Sequence, residues 1–151
     1  MNHLNNRSFR KKEYPPMHTV EHILNQTMVR LFHCERSKNA HIERKKSKCD
    51  YILSQAPSKS EITEIEKKVN EVIAQNLPVI ALYLSYEEAA KLVDLSKLPT
   101  KKEKVRLVKI GEYDVCACIG EHVENTSDIG IFKITTSDYD GNRWRVRFKL
   151  Q

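Results

Sequence analysis

His18-Thr-Val-Glu-His22 and Cys118-Ile-Gly-Glu-His122 each place two metal-ligating side chains four residues apart, and the two segments lie about a hundred residues from one another. Helical residues at i and i+4 stand on one side, with Cβ atoms about 5–6 Å apart. Imidazole and thiolate together suit zinc far better than magnesium or calcium. If the fold brings the pairs together, His18, His22, Cys118 and His122 make a tetrahedral Zn²⁺ site. Structural zinc sites use four protein ligands, whereas catalytic ones keep a position for water or substrate. A partly open site is expected here, and with it a metal-dependent hydrolase or the descendant of one.

The first segment also fits the H-x-x-E-H pattern, in which two histidines bind zinc and the glutamate is a general base. Glu21 would then be catalytic in a peptidase, but such an enzyme needs a third, carboxylate ligand, and this chain offers a Cys/His pair instead. A solvated helix carboxylate is the commoner fate of such a glutamate. His3, His33 and His41 have no partner at ligand spacing and read as surface residues. Cys34, Cys49 and Cys116 read as small buried hydrophobes. Of the neighbours Cys116 and Cys118, only one is expected to join the site. With four glycines in the chain, no phosphate-cradling loop is found, nor a nucleophile elbow, nor the P-C-x-x-C of zinc deaminases.

The elements that must carry these residues follow from periodicity. Residues 1–16 read as a flexible arm ending in Pro15-Pro16. A helix is expected from about Met17 to Phe32, with Val20, Ile23, Leu24, Thr27 and Leu31 as its buried stripe. At about 100° per residue, His18 and His22 fall roughly opposite that stripe, facing a cleft or solvent. A strand lies within Ala40–Leu53. Ser58 with Glu61 suggests a capping box for a helix buried through Ile62, Ile65, Val69, Val72 and Ile73, ending before Pro78. Val79–Leu84 is a strand, and Ser85 with Glu88 opens a short helix to about Leu95. Val105–Ile110 and Tyr113–Ala117 form a hairpin around Gly111-Glu112, and Ile129–Thr135 is a further strand. After the turn Asp140-Gly141-Asn142, the last strand alternates Trp144, Val146, Phe148 and Leu150 with Arg143, Arg145, Arg147 and Lys149, so its second face should be wet and basic. The pattern is α+β: a two-layer sandwich, largely antiparallel, with helices packed on one face.

At 151 residues, 40% hydrophobic and 30% charged, the chain suits one globular domain over residues 17–151. No apolar run approaches the roughly 18 residues of a membrane helix, and residues 1–12 lack the apolar core of a secretory signal. A cytoplasmic protein with free thiols is expected. Net charge is +6, unevenly placed: eleven Lys/Arg against four Asp/Glu in residues 1–49, and fifteen against sixteen in residues 50–151. Clusters at Arg44–Lys48, Lys101–Arg106 and Arg143–Lys149 permit a polyanionic partner such as RNA.

His18-Thr-Val-Glu-His22-Ile-Leu resembles the H-T-A-x-H-L-L opening of the editing domain shared by alanyl- and threonyl-tRNA synthetases. Glu66-Lys-Lys-Val-Asn70-Glu-Val-Ile73 followed by Asn76-Leu-Pro-Val79 is similar to that family's E-x-x-V-N-x-x-I and N-x-P-V. Cys118-Ile-Gly-Glu-His122-Val-Glu-Asn125-Thr126-Ser-Asp-Ile-Gly130 resembles C-G-G-T-H-V-x-N-T-G-E-I-G, with Ile119 and Glu121 where the family has glycine and threonine. The matches run in order from about residue 17 to the C-terminus and lean toward the alanyl branch, including its free-standing editing proteins. The resemblance implies zinc on His18, His22, Cys118 and His122. It also implies hydrolysis, in trans, of the ester joining a wrong amino acid of the serine or glycine type to tRNA. The expected partner is the mischarged acceptor end, with neither DNA nor membrane involved. A catalytically inactive zinc- or tRNA-binding module of the same fold is the alternative that Ile119 and Glu121 suggest.

Overall fold

A computed structural model describes residues 14–96, 98 and 103–151. The expected arm over residues 1–16 lies largely outside that range, as does the lysine pair at 101–102. Helix α1 spans Pro15–Phe32, so Pro15 and Pro16 belong to the helix. Proline is favoured in a first turn, where its missing N–H would have had no partner anyway. The helix ends at His33, whose left-handed φ of 56° lets its N–H reach the Val29 carbonyl. Strands β1 (Asn39–His41) and β2 (Ser47–Ile52) follow. Helix α2 covers Lys59–Ile73 and starts with the full Ser58/Glu61 capping box. Strand β3 (Val79–Ser85) leads into the short helix α3 (Tyr86–Ala90), opened by the Ser85/Glu88 box. Strands β4 (Lys104–Ile110) and β5 (Asp114–Ala117) form the expected hairpin. A 3-10 turn at Thr126–Asp128 precedes β6 (Phe132–Asp140) and β7 (Arg143–Leu150).

The strands form two antiparallel sheets, ordered β1-β2-β7-β6 and β3-β4-β5. The fold is α+β, with helices α1 and α2 sharing one core with the first sheet. Met17, Val20, Ile23, Leu24 and Met28 of α1 meet Ile65, Val69 and Val72 of α2, Tyr51 of β2, and Trp144, Val146 and Phe148 of β7. The inward row of β7 is the apolar half of its period-two pattern. A smaller core under α3 gathers Ala89, Leu95, Val105 and Leu107. Among the described residues no helix is long and apolar enough to cross a membrane.

Several boundaries differ from the sequence reading. Helix α3 stops at Ala90, and Leu95 packs beyond it from a loop. Strand β6 begins at Phe132 because the backbone first makes the 3-10 turn and then passes Gly130, at φ 97°, where a Cβ would lie 2.8 Å from the Gln151 carbonyl oxygen. Leu31, assigned to the buried stripe of α1, is 37% exposed. The outer face of β7 is not simply basic. Its cross-strand neighbours bring acids opposite the arginines: Arg145 grips Asp50 through two bonds of 2.8 and 2.9 Å, and Arg147 and Arg143 reach Asp138 at 2.8 and 3.4 Å.

Two outcomes follow. Trp144 is 1% exposed at the centre of the main core, so Trp144→Ala should cost about 3–5 kcal/mol, read as a lower urea midpoint. The Arg145 hydrogen bonds hold the Asp50 carboxyl below its ordinary 3.8, outweighing the burial that opposes its charge. The stability contributed by this pair is therefore present above about pH 3.8 and lost as pH falls through the lower folded-state value. The urea-midpoint gap between wild type and Asp50→Asn should be flat near neutrality and close in strong acid.

Candidate metal centre

Helix α1 is covered on two sides. The stripe described above faces the main core, and the opposite side faces β5. Gln26 Nε2 donates to Asp114 Oδ1 at 2.9 Å, the Thr27 and Tyr113 hydroxyls meet at 2.6 Å, and Arg30 donates to the Tyr113 carbonyl while stacking over its ring at 4.2 Å. His18 and His22, one turn apart on that side, therefore look onto the end of β5 and the loop that follows it. That loop delivers Cys118 and His122.

The four side chains named from the sequence converge. One ligand atom from each of His18, His22, Cys118 and His122 lies within 4.8 Å of the others. Cys118 Sγ is 3.7 Å from His18 Nε2 and 3.4 Å from His122 Nε2. The rings of His18 and His122 stack with centroids 4.5 Å apart, and His22 meets His122 edge-on at the same separation. A tetrahedron with the usual Zn–N and Zn–S lengths has edges of roughly 3.3–3.6 Å. Three imidazoles and a thiol at these spacings thus fit zinc in both chemistry and size.

The loop is held in place by contacts that the sequence did not advertise. Arg106 of β4, read from the sequence as part of a basic cluster, donates through Nη1 to the carbonyls of Cys118 (2.7 Å) and Gly120 (2.9 Å). Thr19 Oγ1 accepts the Val123 N–H at 3.2 Å and lies 2.9 Å from His122 Nδ1, fixing that ring. Further along, Val79 N–H donates to the Glu124 carbonyl, and Thr126 bridges Leu77 and Ile73. At Gly120 the backbone passes so close to His18 that a Cβ would sit 2.0 Å from its Cε1. Ile119 and Glu121, by contrast, point outward, and Ile119 is 92% exposed.

Electrostatics keep His22 and His122 neutral. Burial, then the nearby His122, Arg36, His18 and Arg106 charges, holds His22 well below the usual histidine range. Burial, with His18 and Arg106, lowers His122 to about 3. Neutral imidazole is the form that binds metal. Glu21 is not a solvated helix carboxylate: burial raises it to about 7 against the opposing pull of Arg36, and it sits 3.7 Å from His18 Nε2. Beside the cluster opens a cleft of about 640 Å³, lined by His18, Glu21, His22, Arg36, Cys116 and Ala117 among others.

Only Cys118 of the two neighbouring cysteines belongs to the four-donor group, as expected, but Cys116 also reaches a histidine. Cys116 Sγ lies 3.1 Å from His22 Nδ1. Residues two apart on a strand share a face, so Asp114 and Cys116 both point at α1, and Cys118 extends the row just past the strand end. That parity was the signal available in the sequence. The other cysteines and histidines stay apart: Cys49 is core, Cys34 bonds the Met28 carbonyl, His33 is exposed, and His41 pairs with Glu43 at the surface. His3 lies outside the described residues. The four-donor group contains no carboxylate, which removes the third ligand that the H-x-x-E-H peptidase reading requires.

A partly buried imidazole–thiol cluster, carried by one helix and a loop between two antiparallel sheets, marks this α+β domain. Residues 105–147 match the family model described as "Threonyl and Alanyl tRNA synthetase second additional domain". The chain is 36% identical to the alanine–tRNA ligase of Fervidobacterium nodosum over 121 residues, which is 79% of this chain and 14% of that protein. It is 34% identical to the alanyl-tRNA editing protein AlaX-L of Pyrococcus horikoshii over 139 residues, 87% of this chain and 32% of that protein. The chain belongs to the family of this second additional domain, and it spans a small part of the ligases and about a third of the editing protein.

The close approach at Gly120 gives a test. Gly120→Ala must push the His18 ring aside, and metal affinity should fall by at least about tenfold, the lower end for disturbed ligand supports. Zinc competition titration, with circular dichroism to confirm the fold, checks this.

Proposed function

We propose that this chain is a zinc-dependent hydrolase that removes a wrongly attached amino acid of the serine or glycine type from tRNA, acting in trans and in the cytoplasm. The observation that carries the reading is the four-donor cluster opening beside a cleft in a chain of this family. His18, His22, Cys118 and His122 would hold the zinc. When bound, the metal supplies a positive charge that polarises an ester carbonyl and eases the deprotonation of water.

The remaining work falls to the chain's own groups. A cleft of about 640 Å³ is within the range of small-ligand sites and suits an aminoacyl end rather than a folded RNA. Glu21, shielded and facing the cleft beside His18, is placed to hold a proton between water and the leaving ribose oxygen. Arg36 sets a fixed cation in the cleft wall, where a phosphate-bearing substrate gains from it. Thr19, Arg106 and Gly120 act on the ligands by position, keeping the Cys118–His122 loop against α1.

A second reading has an observation of its own. Four protein donors are the hallmark of a structural zinc site, which favours a catalytically inactive zinc- or tRNA-binding module of the same fold. The two readings separate in one experiment. Purified protein should contain about one zinc and cleave Ser-tRNA(Ala) or Gly-tRNA(Ala). His18→Ala should lower that rate by about 100-fold or more, since even supports one shell further out can cost that much. Bound zinc with four protein ligands, and no cleavage above the His18→Ala control across mischarged tRNAs, would leave the binding module standing.

A further inference from the structure

His22 also takes part in a second arrangement that the reaction chemistry has not used. Nδ1 lies 3.1 Å from Cys116 Sγ and 3.8 Å from Asp114 Oδ2. The Asp114 side chain is 0% exposed. Arg36 clamps it at both oxygens, Nη1 to Oδ1 at 2.6 Å and Nη2 to Oδ2 at 3.2 Å, and Gln26 adds a bond to Oδ1 at 2.9 Å. The carboxylate is therefore fixed in orientation before any metal arrives. Burial alone works against the Arg36 charge, and Asp114 more than compensates, so the guanidinium is held protonated more firmly than usual.

His22, Asp114 and Cys116 also have donor atoms within 4.8 Å of one another, and two uses of that trio compete. A second cation would have to lie against the Arg36 guanidinium and share a carboxylate already bonded at both oxygens. The alternative is support for the first site. A neutral imidazole carries one N–H and one lone pair. With the lone pair on Nδ1, it would face a buried negative charge. With the proton on Nδ1, the N–H faces Asp114 and has the Cys116 sulfur as a near acceptor. At 3.8 Å the carboxylate acts by charge rather than by a hydrogen bond.

We infer that Asp114, clamped by Arg36 and Gln26, is a positioning residue that fixes His22 as the Nδ1–H tautomer and so directs Nε2 into the His18/Cys118/His122 cluster. This is the carboxylate–histidine support common behind zinc ligands, built here from residues two and four positions ahead of Cys118. The inference rests on the reading of His22 as a metal ligand, and it makes a statement about the metal-free protein as well.

Two readouts test it. Imidazole nitrogen NMR of the metal-free protein should show His22 as the single Nδ1–H tautomer, and Asp114→Asn should give a mixture. Cobalt titration should show one ion per chain with thiolate–cobalt absorption that Cys118→Ser abolishes. Asp114→Asn should keep that absorption while binding cobalt about 10–100-fold more weakly. If Asp114→Asn does not fold, Arg36→Gln leaves the carboxylate but frees it, and should move both readouts the same way by a smaller, several-fold step. Unchanged His22 tautomer in the folded variant, or unchanged cobalt affinity with the absorption intact, overturns the inference, as do two cobalt ions per chain. A wild type that binds no cobalt overturns the metal reading of the cluster instead, and the tautomer comparison then decides this inference alone.

Discussion

The docking of α1 between two sheets is the constraint on which everything else depends. One side of the helix is the apolar stripe buried against α2 and the four-stranded sheet. The other carries His18, His22, Gln26, Thr27 and Arg30 against the β4–β5 hairpin. Neither side is free to rotate: turning the helix to relax one would unpack the other. Because two of the four candidate ligands sit on a helix locked in this way, the entropy of positioning them is lost in folding.

The cluster is also a concentration of like-signed groups held close together. Three imidazoles share the space with Arg36 and Arg106 nearby, so protonation of His22 or His122 is opposed from several directions. The acids in the neighbourhood are of two kinds. Asp114 has a dedicated cation in Arg36, 2.6 Å away. Glu21 has none at bonding distance among the contacts seen and is pushed toward neutrality by burial. Two carboxyls, each under 4 Å from a histidine of the cluster, thus differ in setting because their partners differ.

The supporting frame explains how a loop can bring ligands to a helix. Residues 118–126 have little regular structure, yet Arg106, Thr19, the Pro78–Asn125 bridge and Thr126 bond the loop at intervals along its length. Its side chains at 119 and 121 face solvent, which leaves the inner surface to Cys118, Gly120 and His122. Gly120 matters for what it lacks, since the His18 ring occupies the place of its Cβ.

Much of this was legible in the chain itself. The His18/His22 pair, both capping boxes, the core positions of α1, α2 and β7, and the hairpin at Gly111 are local patterns, and local patterns survive into the fold because they are set by backbone period and nearest neighbours. The strand ends and the length of α3 were less clear, because the turn at Thr126–Asp128 and the packing of Leu95 depend on contacts from elsewhere in the chain. Only tertiary structure turned Arg106 from part of a basic cluster into a support, paired Arg36 with Asp114, drew Glu21 out of water, and set Asp114 and Cys116 against His22. Those roles depend on contacts between residues 12 to 94 positions apart, and a sequence states which side chains exist but not which of them will share a dry, crowded space where charge and hydrogen bonds count most.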